Sequence, residues 1–226
     1  NPENGEWGIA PHTPTVQKAD DRYAILYVAN SGRKGFPANQ CIGMITADSL
    51  DGPWKKVGND GMILAPPADP AIWSHNSVVG VNNPALLRHP DGRYFLYYKA
   101  KESWDKKTPR KMGVAIAENI EGPYVHYKEP VTRNERIIED GYAFLEDGKI
   151  CLLTTDNENF SGLLWKSDDG INFGQPELGF RRMEAYIDPQ KVENSPNHYY
   201  QRKFERPQIL MIDGQPRYLY LASGVN

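Results

Sequence analysis

The chain repeats itself, and this limits its fold more than any single motif does. "GMITADSLDGPWKKV" (43–57) returns as "GVAIAENIEGPYVHY" (113–127). Each copy reads as an alternating strand, a polar turn, Gly-Pro, and an aromatic residue that opens a further strand. "LLWKSDDGINF" (163–173) is a looser third copy. A second element precedes each copy: an apolar strand, a turn with Asp, then an aromatic-rich strand. It occurs as "PTVQKADDRYAILYVAN", "PALLRHPDGRYFLYYKA", "GYAFLEDGKICLLTTDN" and "PQILMIDGQPRYLYLASG". The alternation has period two, which marks half-buried strands. No 3.6-residue stripe lasts beyond two turns, so almost no helix is expected.

A unit of about four short strands, repeated every ~40–70 residues, is the pattern of a β-propeller blade. One blade cannot bury both faces of its sheet, so several must stack around an axis. The expected blades are 10–65, 80–130, 137–180 and 200–226, in one domain spanning 1–226. The last holds two strands, whose partners are absent or supplied by something before residue 1. "ESWDKKTPRK" and "YIDPQKVENSPNHYYQRK" read as insertions on the propeller face.

Charge excludes some partners. A net charge of −3 offers nothing for nucleic acid or an anionic membrane to read. No apolar run approaches the ~20 residues needed to span a bilayer. No leader pattern marks the start, although a removed one fits a chain that opens without Met. Cys41 and Cys151 each sit in an apolar strand-like run and read as buried, reduced thiols. No Cys-x-x-Cys or His-Glu-x-x-His spacing occurs, so a zinc site is not expected.

The starts of the innermost strands carry the chemistry. They read "PHTP", "VNNP", "IEDG" and "FERP", seven or eight residues before the turn Asp. Innermost strands line a propeller's channel, so the pairs His12–Thr13, Asn82–Asn83, Glu139–Asp140 and Glu205–Arg206 should converge on one funnel. Polar walls with carboxylates among them fit sugar hydrolysis. That chemistry needs one carboxyl held protonated and another group as base or nucleophile. Clustering raises one pKa by repulsion and desolvation. Any one strand-end acid also reads as a solvated turn or cap, and Asp51, Glu121, Asp168 and Asp169 read as turn formers.

The candidate catalytic residues are Asp140 and Glu205, then Glu139, Asp156 and His198. Asp156 ends the strand paired with the one that Glu139 begins, so antiparallel pairing should bring it to the same rim. The candidate sugar contacts are His12, Thr13, Asn83, Lys99 and Arg206. Trp73 and His75, in "IWSHNS", either line a sugar subsite or pack the loop. Successive strand residues face opposite sides, so Glu139 and Asp140 should not both face the axis. Asp140 is expected to face substrate, with Glu139 bracing a neighbouring blade through Lys99 or Arg206.

"PHTPTV", "NQCIG…ADSLDGPW", "NNPALLRHPDGRYFLYYKA", "GVAIAENIEGPY", "IEDGYAF" and "FERPQI" together resemble the five-bladed β-propeller glycoside hydrolases of families 43 and 117. The resemblance covers nearly the whole chain. Each motif alone is weak, and the ordered set is fairly specific. It implies a five-bladed propeller, about four blades of which are visible here. It also implies a glycosidase acting on plant or marine polysaccharide fragments, in a secreted or periplasmic bacterial setting. No cofactor is implied, beyond room for a structural Ca2+ in the channel; a homo-oligomer or a partner blade stays open. Family 43 enzymes place an Asp base and a second Asp at successive strand starts and a Glu acid after them. Here the first two matching positions are Thr13 and Asn83. If a further blade precedes "PHTPTV", the base lies upstream of residue 1 and Asp140 matches the Asp that tunes pKa and orients substrate. The other readings are a propeller that only binds carbohydrate, and a structural propeller for protein contacts.

Overall fold

The computed structural model describes residues 7–19, 21–30, 40–188, 190 and 203–223. Four antiparallel sheets follow one another along the chain. The first runs β1 (Ile9–Ala19), β2 (Arg22–Asn30), β3 (Gln40–Ala47) and β4 (Lys55–Lys56), with β5 (Met62–Leu64) also paired to β3. The second runs β6 (Asn82–Arg88), β7 (Tyr94–Ala100), β8 (Lys111–Ala117) and β9 (Val125–His126). The third runs β10 (Ile138–Glu146), β11 (Lys149–Asp156), β12 (Ser161–Ser167) and β13 (Glu177–Phe180). The fourth pairs β14 (Glu205–Ile212) with β15 (Gln215–Ala222). Apart from β5, the strands of each sheet lie in chain order, the meander of a propeller blade. A 3-10 turn, Met183–Ala185, follows β13.

The Gly-Pro copies do equivalent work. Pro53 and Pro123 each close the turn after the third strand and lead into the short outer strands β4 and β9. Their glycines adopt φ values of 84° and 93°, a region that disfavours side chains. The third copy departs from this pattern, because β13 begins beyond Phe173 at Glu177.

The core lies between blades. In β7, "YFLYYKA", all seven residues are buried. Tyr94, Leu96, Tyr98 and Ala100 join an apolar cluster with Leu26, Ile42 and Met44 of the first sheet. Phe95 and Tyr97 face the other way, into a cluster with Ile150, Leu152 and Trp165 of the third. Period-two alternation thus feeds two interfaces from one strand, and each large buried side chain contributes about 1.5–3 kcal/mol. A third cluster, with Phe144, Leu153, Phe180 and Phe204, joins the third sheet to the fourth. Cys41 and Cys151 are buried and form no disulfide.

This packing brings the first strands together. β6 packs against β1 and β10, and β10 packs against β14. The Thr15 hydroxyl donates to Gln208 Oε1 at 3.2 Å, linking β1 to β14. Four strand starts therefore surround one axis.

Candidate active site

The same backbone irregularity opens all four inner strands. Ladder pairing is interrupted between His12 and Thr15, Asn82 and Ala85, Glu139 and Tyr142, and Glu205 and Gln208. Within these bulges Thr13, Asn83, Asp140 and Arg206 have φ of 54°, 50°, 56° and 52°. Non-glycine residues rarely adopt this left-handed conformation, and here it recurs at the equivalent position of all four inner strands. Pro14, Pro84 and Pro207 follow three of the bulged residues, where no ladder N–H is needed; Gly141 follows the fourth.

The bulge overturns the alternation expected above. Both members of every pair line one cavity of about 200 Å³: His12 and Thr13, Asn82 and Asn83, Glu139 and Asp140, Glu205 and Arg206. Glu139 and Asp140 share this face because the left-handed residue resets the side-chain direction, as bulges do. Lys99 and Gln40 complete the lining. Lys99 is paired with Asn82 across the ladder, which puts both side chains on one face.

Glu139 is the best-braced acid. It accepts from Lys99 Nζ at 2.7 Å and from an Arg110 guanidinium nitrogen at 2.8 Å, both on the second blade. Lys203, which leads into the fourth blade, lies 3.7 Å away, and the Asn157 amide also donates to it. Bracing through Lys99 is as expected; Arg206 takes no part among the described contacts. Burial pushes the Glu139 pKa up, but Lys99, Arg110 and Lys203 outweigh it and hold the carboxyl well below the usual range.

Asp140 is shifted the other way. It is 7 % exposed, and its pKa is raised to about 6, first by burial and then by the charges of Glu139 and Glu205. The Asn83 amide donates to one carboxylate oxygen, and the Arg206 backbone N–H to the other at 3.3 Å. Glu205 pairs with Lys203. Glu139, Asp140 and Glu205 each present an oxygen within 4.8 Å of the others.

Three acids invite a cation, but these residues do not fit one. Ca2+ takes six to eight oxygens, and here the carboxylates already accept from Lys99, Arg110, Lys203, Asn157, Asn83 and the Arg206 N–H.

At the mouth, the His12 ring bonds the Thr13 hydroxyl at 2.6 Å. Desolvation lowers its pKa, helped by the charges of Arg206 and Lys99.

Three expected residues lie away from the cavity lining. Asp156 is fully buried in its own turn: it accepts the N–H groups of Glu158 and Asn159, the Asn159 amide and Arg136. Its ladder partner is Ile138, one residue from Glu139, which turns it to the other face. Trp73 stacks on Tyr98 at 6.4 Å and packs against the first core cluster. His75 bonds the Pro67 carbonyl at 2.8 Å. His198 lies outside the described residues.

Sequence reasoning passed over Gln40, Arg110, Asn157 and Lys203. Lys203 alone carried a signal, since it sits two residues before Glu205 and shares its side.

No family model matches the sequence. Over 65 residues the chain is 35% identical to an extracellular endo-α-(1→5)-L-arabinanase of Thermotoga petrophila, covering 29% of this chain and 13% of that protein. The fold is similar to a family 117 glycoside hydrolase of Zobellia galactanivorans, with a TM-score of 0.56, 22% identity, 74% of this chain and 46% of that one covered. It is also similar to a thermostable family-43 glycoside hydrolase, with a TM-score of 0.63, 17% identity and coverage of 99% and 66%. An exo-β-1,3-galactanase of Clostridium thermocellum gives 0.63, 14% identity and coverage of 93% and 42%. The likeness shows the β-propeller fold. The chain spans a small part of the arabinanase and about half of these solved structures.

Proposed function

We propose that this chain carries the proton-donating side of a glycoside hydrolase site, acting on an oligosaccharide from a plant or marine polysaccharide. Asp140 carries the reading: a buried carboxyl that keeps its proton up to about pH 6, at the wall of a polar cavity. Glycosidic cleavage breaks the bond between the anomeric carbon and the leaving oxygen, which must take up a proton. The family resemblance would make Asp140 the acid that tunes pKa and orients substrate; its raised pKa and its place beside Glu205 instead assign it, with Glu205, to hold that proton. Water adds to the anomeric carbon and gives its own proton to a base.

The base is proposed to lie outside this cluster. Carboxyls that flank an attacking water sit ~6.5–9.5 Å apart, whereas these acids approach within 4.8 Å. Thr13 and Asn83 stand where the family resemblance puts carboxylates. A fifth blade would supply the base, and an exposed apolar face on the fourth sheet (Leu210, Tyr218 and Tyr220) supports a further blade packing there. Asn83 is assigned to hold Asp140, Lys99 and Glu139 to brace the blades, and His12, Thr13 and Arg206 to contact the sugar. Among the described residues no helix is long and apolar enough to cross a membrane; a secreted protein is the setting proposed, in keeping with the extracellular arabinanase.

One observation favours a second reading. Only one of the four bulged positions is an acid, as expected of a propeller that binds sugar without cleaving it. Reducing-end release from arabinan, galactan and agar oligosaccharides separates the two. Turnover that falls at least about 100-fold in Asp140→Asn and Glu205→Gln supports the enzyme. Binding without turnover in the wild type ends it.

A further inference from the structure

We propose that Arg206, with His12 beside it, forms a subsite for an anionic sugar substituent, a carboxylate or a sulfate ester, so that the oligosaccharide is acidic. This rests on the glycosidase reading and adds the substrate's charge.

Arg206 differs from the other cations of the site. Lys99, Arg110 and Lys203 all pair with Glu139 or Glu205. The Arg206 side chain is exposed and lines the cavity. Among the described residues, no carboxylate and no carbonyl accepts from its guanidinium. Arg22, Arg93 and Arg136 pair with Glu121, Asp91 and Asp156, while exposed Arg133, Arg181 and Arg217 show no ion pair among the described residues; what sets Arg206 apart is its place in the lining of the cavity.

Its position is set by the backbone. Arg206 occupies a left-handed bulge, and its N–H is bonded to an Asp140 oxygen. Arg206 and Asp140 line the same cavity, and the Arg206 charge acts on the Asp140 carboxyl, so a group held by its side chain lies in the cavity that the proton donor walls.

The charge balance points the same way. Four cations, Lys99, Arg110, Lys203 and Arg206, surround three carboxyls, and Asp140 keeps its proton up to about pH 6. The site is thus positive on a chain of net charge −3. A neutral sugar would cover the guanidinium without satisfying its charge, which costs binding energy. A carboxylate or sulfate would accept two parallel N–H bonds from the planar fork. His12 bonds the Thr13 hydroxyl through Nδ1, and its ring, which lines the same cavity, offers one further donor in the tautomer that carries the proton on Nε2.

The test measures binding and cleavage together. The probes are a galacturonan trisaccharide, its methyl ester, a sulfated galactan oligosaccharide and its desulfated form. Titration calorimetry reads affinity, and reducing-end release reads cleavage. The wild type should bind one acidic probe about 10- to 100-fold more tightly than its uncharged counterpart, as for hydrogen bonds to charged groups. The arm that shows the preference identifies carboxylate or sulfate as the source. R206Q should abolish the preference, and R206K, charged but without the fork, should recover only part of it. Circular dichroism and the thermal midpoint confirm that each variant folds. Equal affinity for charged and uncharged probes, or a preference unchanged in R206Q, overturns the subsite. Cleavage of uncharged probes with no acid preference overturns it while the glycosidase reading stands. Arg206-dependent acid binding without cleavage keeps the subsite and removes the glycosidase reading.

Discussion

Replacing Asp140 with Asn should stabilise the protein at alkaline pH and not at acid pH. The folded carboxyl has a pKa of about 6, against an ordinary value of 3.8. The folded state therefore binds the proton more tightly than the unfolded chain does. Stability from this group is full below 3.8 and is lost as pH rises through 6. Above that range, ionising a carboxyl shifted this far costs the native state about 3 kcal/mol. Asn carries no such cost, but it loses something in hydrogen bonding. Asp140 accepts from both the Asn83 amide and the Arg206 N–H, and an amide oxygen serves one of them unless the Asn83 amide turns. That mismatch costs about 1 kcal/mol. D140N should then be about 1 kcal/mol less stable than the wild type near pH 4 and about 2 kcal/mol more stable near pH 8. Urea denaturation at both pH values reads the difference. In a chain of this size about 2–4 °C in Tm accompanies each kcal/mol. A stability difference that is the same at both pH values, or a wild-type advantage that grows with pH, would refute the account of Asp140 as a carboxyl buried against its own charge.

Glu139→Gln leaves Lys99 and Arg110 facing a neutral amide; a loss of about 3 kcal/mol is expected, and one below about 1 kcal/mol in urea titration would contradict the bracing role. The same variant removes a charge that raises the Asp140 pKa, so any pH–activity profile governed by Asp140 should move its alkaline limb to lower pH. Gly80→Ala drives a Cβ into the Gln40 backbone at a residue with φ of 67°, and should cost at least about 2 kcal/mol, with the cavity wall at Gln40 and Asn82 displaced in a crystal structure of the variant. Burial pushes both Cys41 and Cys151 thiols up to about 11, so the native protein should react with a thiol reagent far more slowly than the urea-unfolded chain; a mass two units below that of the dithiol would reveal a disulfide instead.

How much of this was written in the chain depends on the distance over which each feature is decided. The strand elements and their grouping were legible, because alternation of period two and turn residues such as "PDG" and "EDG" act over a few neighbours. "YFLYYKA" was readable as an aromatic strand, and its two faces follow from alternation alone. The four polar pairs were legible too, as equal offsets from equivalent turns. Other features were decided by packing. Trp73 took the loop-packing alternative because Tyr98 offers it a stacked ring. Asp156 went to its own turn because four donors there outcompete a place at the rim. Alternation failed at Glu139 and Asp140, since a left-handed bulge turns both toward the cavity.

The sequence by itself determined the repeating strand pattern and which residue pairs open the innermost strands, because both depend on contacts between near neighbours. Only the tertiary structure decided the charges of the site. Glu139 meets Lys99 and Lys203 from the blades on either side, and Asp140 meets Glu205 from 65 residues further along the chain. Coulombic interactions and desolvation act through space, so no local pattern could have shown that one of two adjacent carboxyls holds its charge firmly while the other keeps its proton.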